Sequence, residues 1–224
     1  MTTLTEPVGY CACVSKTTGC WATCWMQRAT ELCSGSEPDM ADLNRAAPDT
    51  ELVLYFDGSC LDNQNVTADT PAGWGFVVVV GDGGLGRGDG SVIAEGSGRV
   101  VTDQEASGWL GAEVGSNNTA ELSAVAHALR WLLTDGGEGA VTMRGDSQYA
   151  LNIAAGNWKA KANKQLAARV QSLWNEVAGA RLLEGEHVRA HRGQRWNERA
   201  DHLAYRAMRG EAPEPLDFWK PGAR

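Results

Sequence analysis

The sequence predicts an α/β layer fold, and three observations carry that prediction. Short apolar runs of strand length begin beyond residue 50, segments with helical apolar spacing follow, and Gly- or Asp-containing turns separate the two kinds. The order is three strands, a helix, a strand, helices, a strand and a final helix, which suits a sheet covered by helices. With 224 residues, 43% hydrophobic and 21% charged, the chain has an ordinary globular composition. A disordered or collagen-like protein is excluded.

Residues 34–50 are rich in Pro, Gly, Ser and acidic groups and read as a linker, with a domain starting near Glu51. Leu52 to Phe56 is an apolar and aromatic run that reads as a strand stopping at the turn Asp57-Gly58-Ser59. Gly73 to Val80 is a second strand. The Gly-rich stretch Gly81 to Gly90 then turns the chain, without the Lys-Ser/Thr of a phosphate-binding loop. Val92 to Val101 returns antiparallel to the second strand.

Asn118 to Leu133 is a helix, because Leu122, Val125, Ala126, Leu129, Leu132 and Leu133 recur at helical spacing and Gly136-Gly137 ends it. Ala140 to Gly145 is a short strand ending at Asp146. Helices follow from Ser147 to about Ala155 and from about Lys164 to Val177. Glu186 to Ala190 fits a last strand, and Asn197 to Met208 a final helix burying Ala200, Leu203, Ala204 and Ala207. Residues 210–224 form a tail.

The net charge is −8, which argues against a partner held only by bulk attraction to phosphate. The charge is unevenly spread. Residues 51–146 carry 4 basic and 14 acidic groups, whereas residues 147–209 carry 11 basic and 5 acidic. A local basic face is therefore compatible with the acidic whole. No apolar run approaches the roughly 18–20 residues of a membrane helix. The N-terminus lacks the pattern of a signal peptide and the Arg content of an organellar presequence. The expected location is intracellular, the cytoplasm first, with an organelle or the nucleus left open.

Four acidic residues stand where such an architecture brings them together. Asp57 and Asp146 follow strands, at the carboxyl ends that line the crevice of α/β sheets. Glu121 lies in the first turn of the first long helix and Asp201 in the second turn of the last. Taken singly, each also reads as a turn or helix-dipole residue. Their contexts are more telling. Asp57-Gly58-Ser59, Asn117-Asn118-Thr119-Ala120-Glu121-Leu122, Gly145-Asp146-Ser147-Gln148-Tyr149 and His191-x-Gly193-x-x-x-Asn197-Glu198-x-Ala200-Asp201 occur in that order. Together they closely resemble the type 1 ribonuclease H family over about residues 51–209.

That resemblance implies a ribonuclease H-like fold, a five-stranded mixed sheet flanked by helices, and hydrolysis of the RNA strand of an RNA–DNA hybrid. Carried over position by position, it makes Asp57, Glu121, Asp146 and Asp201 metal ligands, with Asp57 and Asp146 central. Clustered carboxylates raise one another's pKa and invite cations. Hard oxygen donors suit two Mg²⁺ ions, with Mn²⁺ as a substitute. The implied products carry 5′-phosphate and 3′-hydroxyl ends. His191, in a Gly-bounded stretch, is implied to aid proton movement or product departure. The presence of all four carboxylates and His191 favours an enzyme over a noncatalytic binding or assembly module. A relative cutting another nucleic acid is a third reading.

Recognition of a hybrid needs polar side chains that read 2′-hydroxyls and strand shape. Asn117, Asn118 and Gln148 match family positions near the cut, and Asn63 falls at a polar position ahead of an enlarged loop. Ser116 and Asn163 are candidates for a DNA phosphate, and helix capping is the alternative for both. Trp158, Lys159 and Lys161 stand where many relatives carry a longer basic protrusion. From Ser147 to Asn175 there are four basic groups and no acidic one. Arg189, Arg192, Arg195 and Arg199 surround His191 as a second candidate contact.

Residues 1–50 lie outside the resemblance. Cys11, Cys13, Cys20, Cys24 and Cys33 crowd this extension, and Cys60 stands alone. In a reducing compartment they are thiols or metal ligands rather than disulfides. Cys20 and Cys24 would share a helix face, but the spacing matches no common finger. A Zn²⁺ site and a docking segment for an unknown partner both stay open, and a monomer is expected.

Overall fold

The computed structural model describes residues 49–83, 88–189 and 193–223. The expected zinc or docking role of the Cys-rich segment, and the expected roles of His191 and Arg192, lie outside the described residues. The sheet starts with β1 (Leu52–Cys60), which is followed by β2 (Ala72–Val80) and β3 (Ser91–Arg99). Then come α1 (Asn117–Thr134), β4 (Val141–Gly145), α2 (Gln148–Ala154), α3 (Lys164–Ala180), β5 (Leu183–His187) and α4 (Arg195–Arg209).

The strand order is β3-β2-β1-β4-β5. β1–β2 and β2–β3 are antiparallel, while β1–β4 and β4–β5 are parallel. The sheet is therefore mixed and five-stranded, as the resemblance implied. Two sequence expectations are corrected. β1 runs on through Asp57-Gly58-Ser59 to Cys60, because each of these residues pairs with β2. β5 lies at Leu183–His187, three residues before the expected start, where it pairs with β4. Its Leu-Glu-Gly-Glu-His sequence has little apolar pattern to announce it.

Strand alternation divides the core. Leu52, Leu54, Phe56 and Phe76 pack with Leu122, Val125 and Leu129 of α1 and with Leu166 and Val170 of α3. On the other face, Val53, Tyr55, Val77 and Val79 meet Trp196, Ala200 and Leu203 of α4. Full burial of each large side chain here stabilises by about 1.5–3 kcal/mol. The two-residue period of β1 thus feeds two separate apolar clusters. Gly75 lets α4 approach β2: a Cβ there would lie 2.6 Å from the Ala200 carbonyl oxygen and 2.7 Å from the Ala204 nitrogen.

Residues 210–223 run over the outer side of α4. Arg199, 1% exposed, makes a bidentate pair with Glu95 of β3 at 2.8 and 2.7 Å. It also donates to the Glu214 carbonyl at 2.7 Å. His202 Nε2 accepts the Glu214 N–H at 3.0 Å, so its proton sits on Nδ1, which donates to the Ala223 carbonyl at 3.2 Å. Arg206 donates to the Ala212 carbonyl at 3.0 Å, and Trp219 is buried. Arg199 is therefore an anchor of the fold, not the expected surface contact beside His191. No helix among the described residues is long and apolar enough to cross a membrane.

Candidate active site

Asp57 is the sixth residue of β1 and is buried. It lies one alternation beyond Tyr55, on the face that α4 covers. The parallel pairing Tyr55↔Arg144, continued by two residues, sets Asp146 beside Asp57 just past the end of β4. Asp201 arrives on α4. Glu121 arrives on α1, in the second turn rather than the first, because the helix begins at Asn117. Gly58 makes that approach feasible: a Cβ there would run into the Ala120 and Glu121 backbone.

Electrostatics ties the four together. Burial pushes the Asp57 carboxyl well above the usual range, and the charges of Asp146 and Asp201 push the same way. The Gly58 N–H, 2.7 Å from Asp57 Oδ1, opposes this, and Glu121 adds a smaller upward effect. Glu121 is raised to about 7, chiefly by burial, with Asp146 contributing and the Ser147 hydroxyl pulling it down. That hydroxyl donates to Glu121 Oε2 at 2.5 Å, and the Asn117 carboxamide donates to Oε1 at 3.0 Å. Both oxygens of Glu121 are thereby oriented.

The donor set consists of hard carboxylate oxygens, which fit Mg²⁺ or Mn²⁺ and not a soft metal. The repulsion felt by Asp57 is the kind that a divalent cation relieves. Among the described residues no three His, Cys, Asp or Glu side chains close on a common point. In chemical terms the four groups gather carboxylate oxygens, donors for a hard cation, at one end of the sheet.

The sequence profile of the RNase H family matches residues 49–209. The chain belongs to the RNase H family. It is a ribonuclease H, a nuclease of the hydrolase class. A ribonuclease H of Thermosynechococcus vestitus is 32% identical over 168 residues, covering 71% of this chain and 89% of the relative. RNase H1 of the halophilic archaeon Halobacterium salinarum has a TM-score of 0.51 at 27% identity, covering 71% of this chain and 98% of that one. LC11-RNase H1, solved in complex with an RNA/DNA hybrid, has a TM-score of 0.51 at 22% identity, with coverage of 71% and 97%. This last likeness concerns the fold alone.

Around the RNase H carboxylates the expected substrate residues divide into two groups. Asn118, Trp158, Lys159 and Lys161 line a cleft of about 630 Å³ together with Tyr149 and Asn157. Trp158 is 47% exposed. Asn63 and Asn117 meet at the end of β1, where Asn63 Oδ1 accepts the Asn117 backbone N–H at 3.2 Å and the Cys60 thiol at 3.7 Å. Burial raises the Cys60 pKa and so keeps it a thiol. Gln148 opens this stretch, exposed at the start of α2.

The second group holds the scaffold. Ser116 caps α1, accepting the Thr119 N–H at 3.2 Å and sharing a 2.7 Å bond with its hydroxyl. Asn163 is 6% exposed with φ +48°, and its Oδ1 accepts the Glu113 N–H at 3.0 Å. Arg195 stacks over the Trp196 ring at 5.0 Å. Sequence reasoning missed the Ser147–Glu121 bond and the cleft positions of Tyr149 and Asn157. For Ser147 the signal was present, since Ser directly after a strand and before a helix is a strong capping position.

Proposed function

We propose that this RNase H cuts the RNA strand of an RNA–DNA hybrid, with Asp57, Glu121, Asp146 and Asp201 as ligands of two divalent cations. The observation that carries the reading is the electrostatic repulsion of three carboxylates on buried Asp57, together with a cleft of Trp158, Lys159 and Lys161 that Asn118 of α1 and Tyr149 of α2 also line. The lysines suit a phosphate-bearing strand, and Trp158 offers a face for stacking. Asn117, Asn118 and Gln148 are assigned to the minor groove, where 2′-hydroxyls distinguish RNA from DNA.

Ser147 and Asn117 orient Glu121, and the β1–β4 pairing orients Asp57 against Asp146. Asp57, Glu121, Asp146 and Asp201 would hold the divalent cations, which would supply activation of water and stabilisation of the leaving 3′ oxygen. The resulting ends would be 5′-phosphate and 3′-hydroxyl. His191 is assigned to proton movement or product departure from its motif. Residues 51–209 are proposed as the catalytic domain, between the Cys-rich extension and the tail.

The test is an end-labelled RNA–DNA hybrid incubated with the full chain and Mg²⁺ or Mn²⁺, beside double-stranded RNA, double-stranded DNA and an EDTA control. Cation-dependent cutting confined to the hybrid RNA, with a 5′-phosphate on the downstream product, is expected. An intact hybrid with both cations present sinks the reading. Preferential cutting of double-stranded RNA would move the substrate assignment.

A further inference from the structure

A second cavity, of about 550 Å³, lies beside β5 against α2 and α3 and shares Asn157 with the cleft of Trp158 and the lysines. Its volume falls in the range of small-ligand pockets, about 300–1,000 Å³. Its chemistry differs from that of the neighbouring cleft. Three carboxamides, those of Gln148, Asn152 and Asn157, and the His187 imidazole supply its polar groups, and among the described residues no Lys, Arg, Asp or Glu lines it. Leu151 and Trp174 form its apolar floor.

The space depends on β5. Leu183, Gly185 and His187 are the residues of this strand that line the cavity, and the central one has no side chain. A Cβ at Gly185 would sit 3.2 Å from Leu151 Cδ2 and 3.4 Å from the Trp174 ring. Any larger side chain at this position therefore projects into the cavity over that floor. The polar rim is partly preorganised. Asn152 Nδ2 donates to the Gln148 carbonyl at 2.8 Å, and Asn152 Oδ1 accepts from Asn157 Nδ2 at 3.3 Å. His187 Nε2 donates to the Asp146 carbonyl at 3.1 Å, which leaves Nδ1 as an acceptor in the neutral ring.

A neutral pocket rejects a phosphate but suits a flat, uncharged ligand with mixed donors and acceptors along one edge. Asn and Gln carboxamides pair with the edges of bases in that manner. The cleft across Asn157 has the opposite character, two lysines and an exposed Trp, which suits a strand's backbone. We propose that the cavity receives an unpaired nucleobase, presented by a nucleic-acid strand lying in the adjacent cleft or as a free nucleoside. The strand source rests on the hybrid-cutting reading, whereas the base pocket itself does not.

The test uses the full chain, isotope-labelled, in EDTA so that no cleavage occurs. Adenosine, guanosine, cytidine and uridine are titrated separately to about 10 mM, with inorganic phosphate and glucose as controls. A dissociation constant of about 1 mM is the expected scale. Shifts should concentrate on the Gln148 and Asn152 carboxamides, Leu151 methyls and Trp174 indole, with phosphate and glucose leaving them still. Gly185→Leu fills the cavity and should remove the shifts. Asn152→Ala, at a half-buried position on α2, should weaken binding about tenfold and covers the case in which the filled variant fails to fold.

A second arm compares hybrids with a blunt end and with a single-stranded overhang carrying 2-aminopurine. A fluorescence change on binding only the overhang, lost in either variant, identifies the strand as the source. Nucleoside shifts without that change identify the free nucleoside. Neither response, or shifts that persist in both variants, overturns the pocket. Nucleoside binding is read without catalysis, so a failure to cut hybrids leaves its outcome independent.

Discussion

The Ser147 hydroxyl donates a 2.5 Å hydrogen bond to Glu121 Oε2 and so joins the cap of α2 to the second turn of α1. The same oxygen accepts the Ala150 N–H at 3.1 Å. One side chain thus starts a helix and opposes the burial-driven upward shift of a carboxylate 26 residues away.

Ser147→Ala removes both bonds. Loss of the cap should cost about 1 kcal/mol of stability, seen as a lower urea midpoint. Loss of a bond that favours the charged form of Glu121 should also raise its pKa further. The acid limb of the pH–rate profile for hybrid cleavage should move to higher pH. An unchanged limb alongside reduced stability would leave Ser147 a cap alone.

Cation binding should be linked to pH through Glu121. The native, cation-free chain holds the Glu121 proton up to about 7, whereas an unfolded chain releases it near the ordinary Glu value of about 4.3. Between these limits the native state binds more protons, so this group's contribution to stability falls as pH rises. Mg²⁺ competes with that proton. Its affinity by calorimetry should rise across roughly pH 6 to 8, with protons released on binding below about 7. A pH-independent Mg²⁺ affinity would contradict the link.

Asp57→Asn should separate stability from activity. Asp57 is buried among like charges, so a neutral carboxamide of similar shape relieves repulsion in the cation-free chain. The melting temperature in EDTA should hold or rise. Hybrid cleavage should fall at least about 10³-fold, the consequence of losing several kcal/mol of stabilisation at the reacting phosphate. Asp146→Asn should likewise end cleavage while keeping hybrid binding.

His127 offers a pH test away from the carboxylates. It stacks on Trp74 with ring centroids 3.8 Å apart. Its pKa is pushed down to about 4, by burial first and by Arg130 second. Below its ordinary value of about 6.5 the unfolded chain takes up a proton that the native ring refuses, so stability falls as pH drops toward 4. His127→Phe keeps the stack and removes the proton. The variant should unfold at higher urea than the parent at pH 5 and show little difference at pH 8.

Much of this was legible locally. The apolar run of β1, the helical spacing of α1 and the buried stripe Ala200, Leu203, Ala204 and Ala207 of α4 were all readable from the sequence. In each, a single buried face imposes its own period. The proximity of Asp146, Asp201 and Glu121 to Asp57 was legible because each sits inside a short ordered motif. The bounds of β5 escaped, since an edge strand reading Leu-Glu-Gly-Glu-His is held by pairing with β4, and backbone hydrogen bonds leave no side-chain signature. Arg199 escaped as well. A cation near other arginines reads as a surface group until Glu95 of β3 is brought against it.

By itself the sequence determined which segments become strands and helices and which ordered motifs hold the four carboxylates. Both follow from patterns spanning a few residues. Tertiary structure alone decided that Glu121 is gripped by Ser147, that Asn163 is turned inward to Glu113, and that a glycine on β5 opens a neutral pocket beside a basic cleft. Those outcomes depend on strand register and helix approach between residues far apart in the chain. Local propensity does not encode such distances; the packing of the whole sheet sets them.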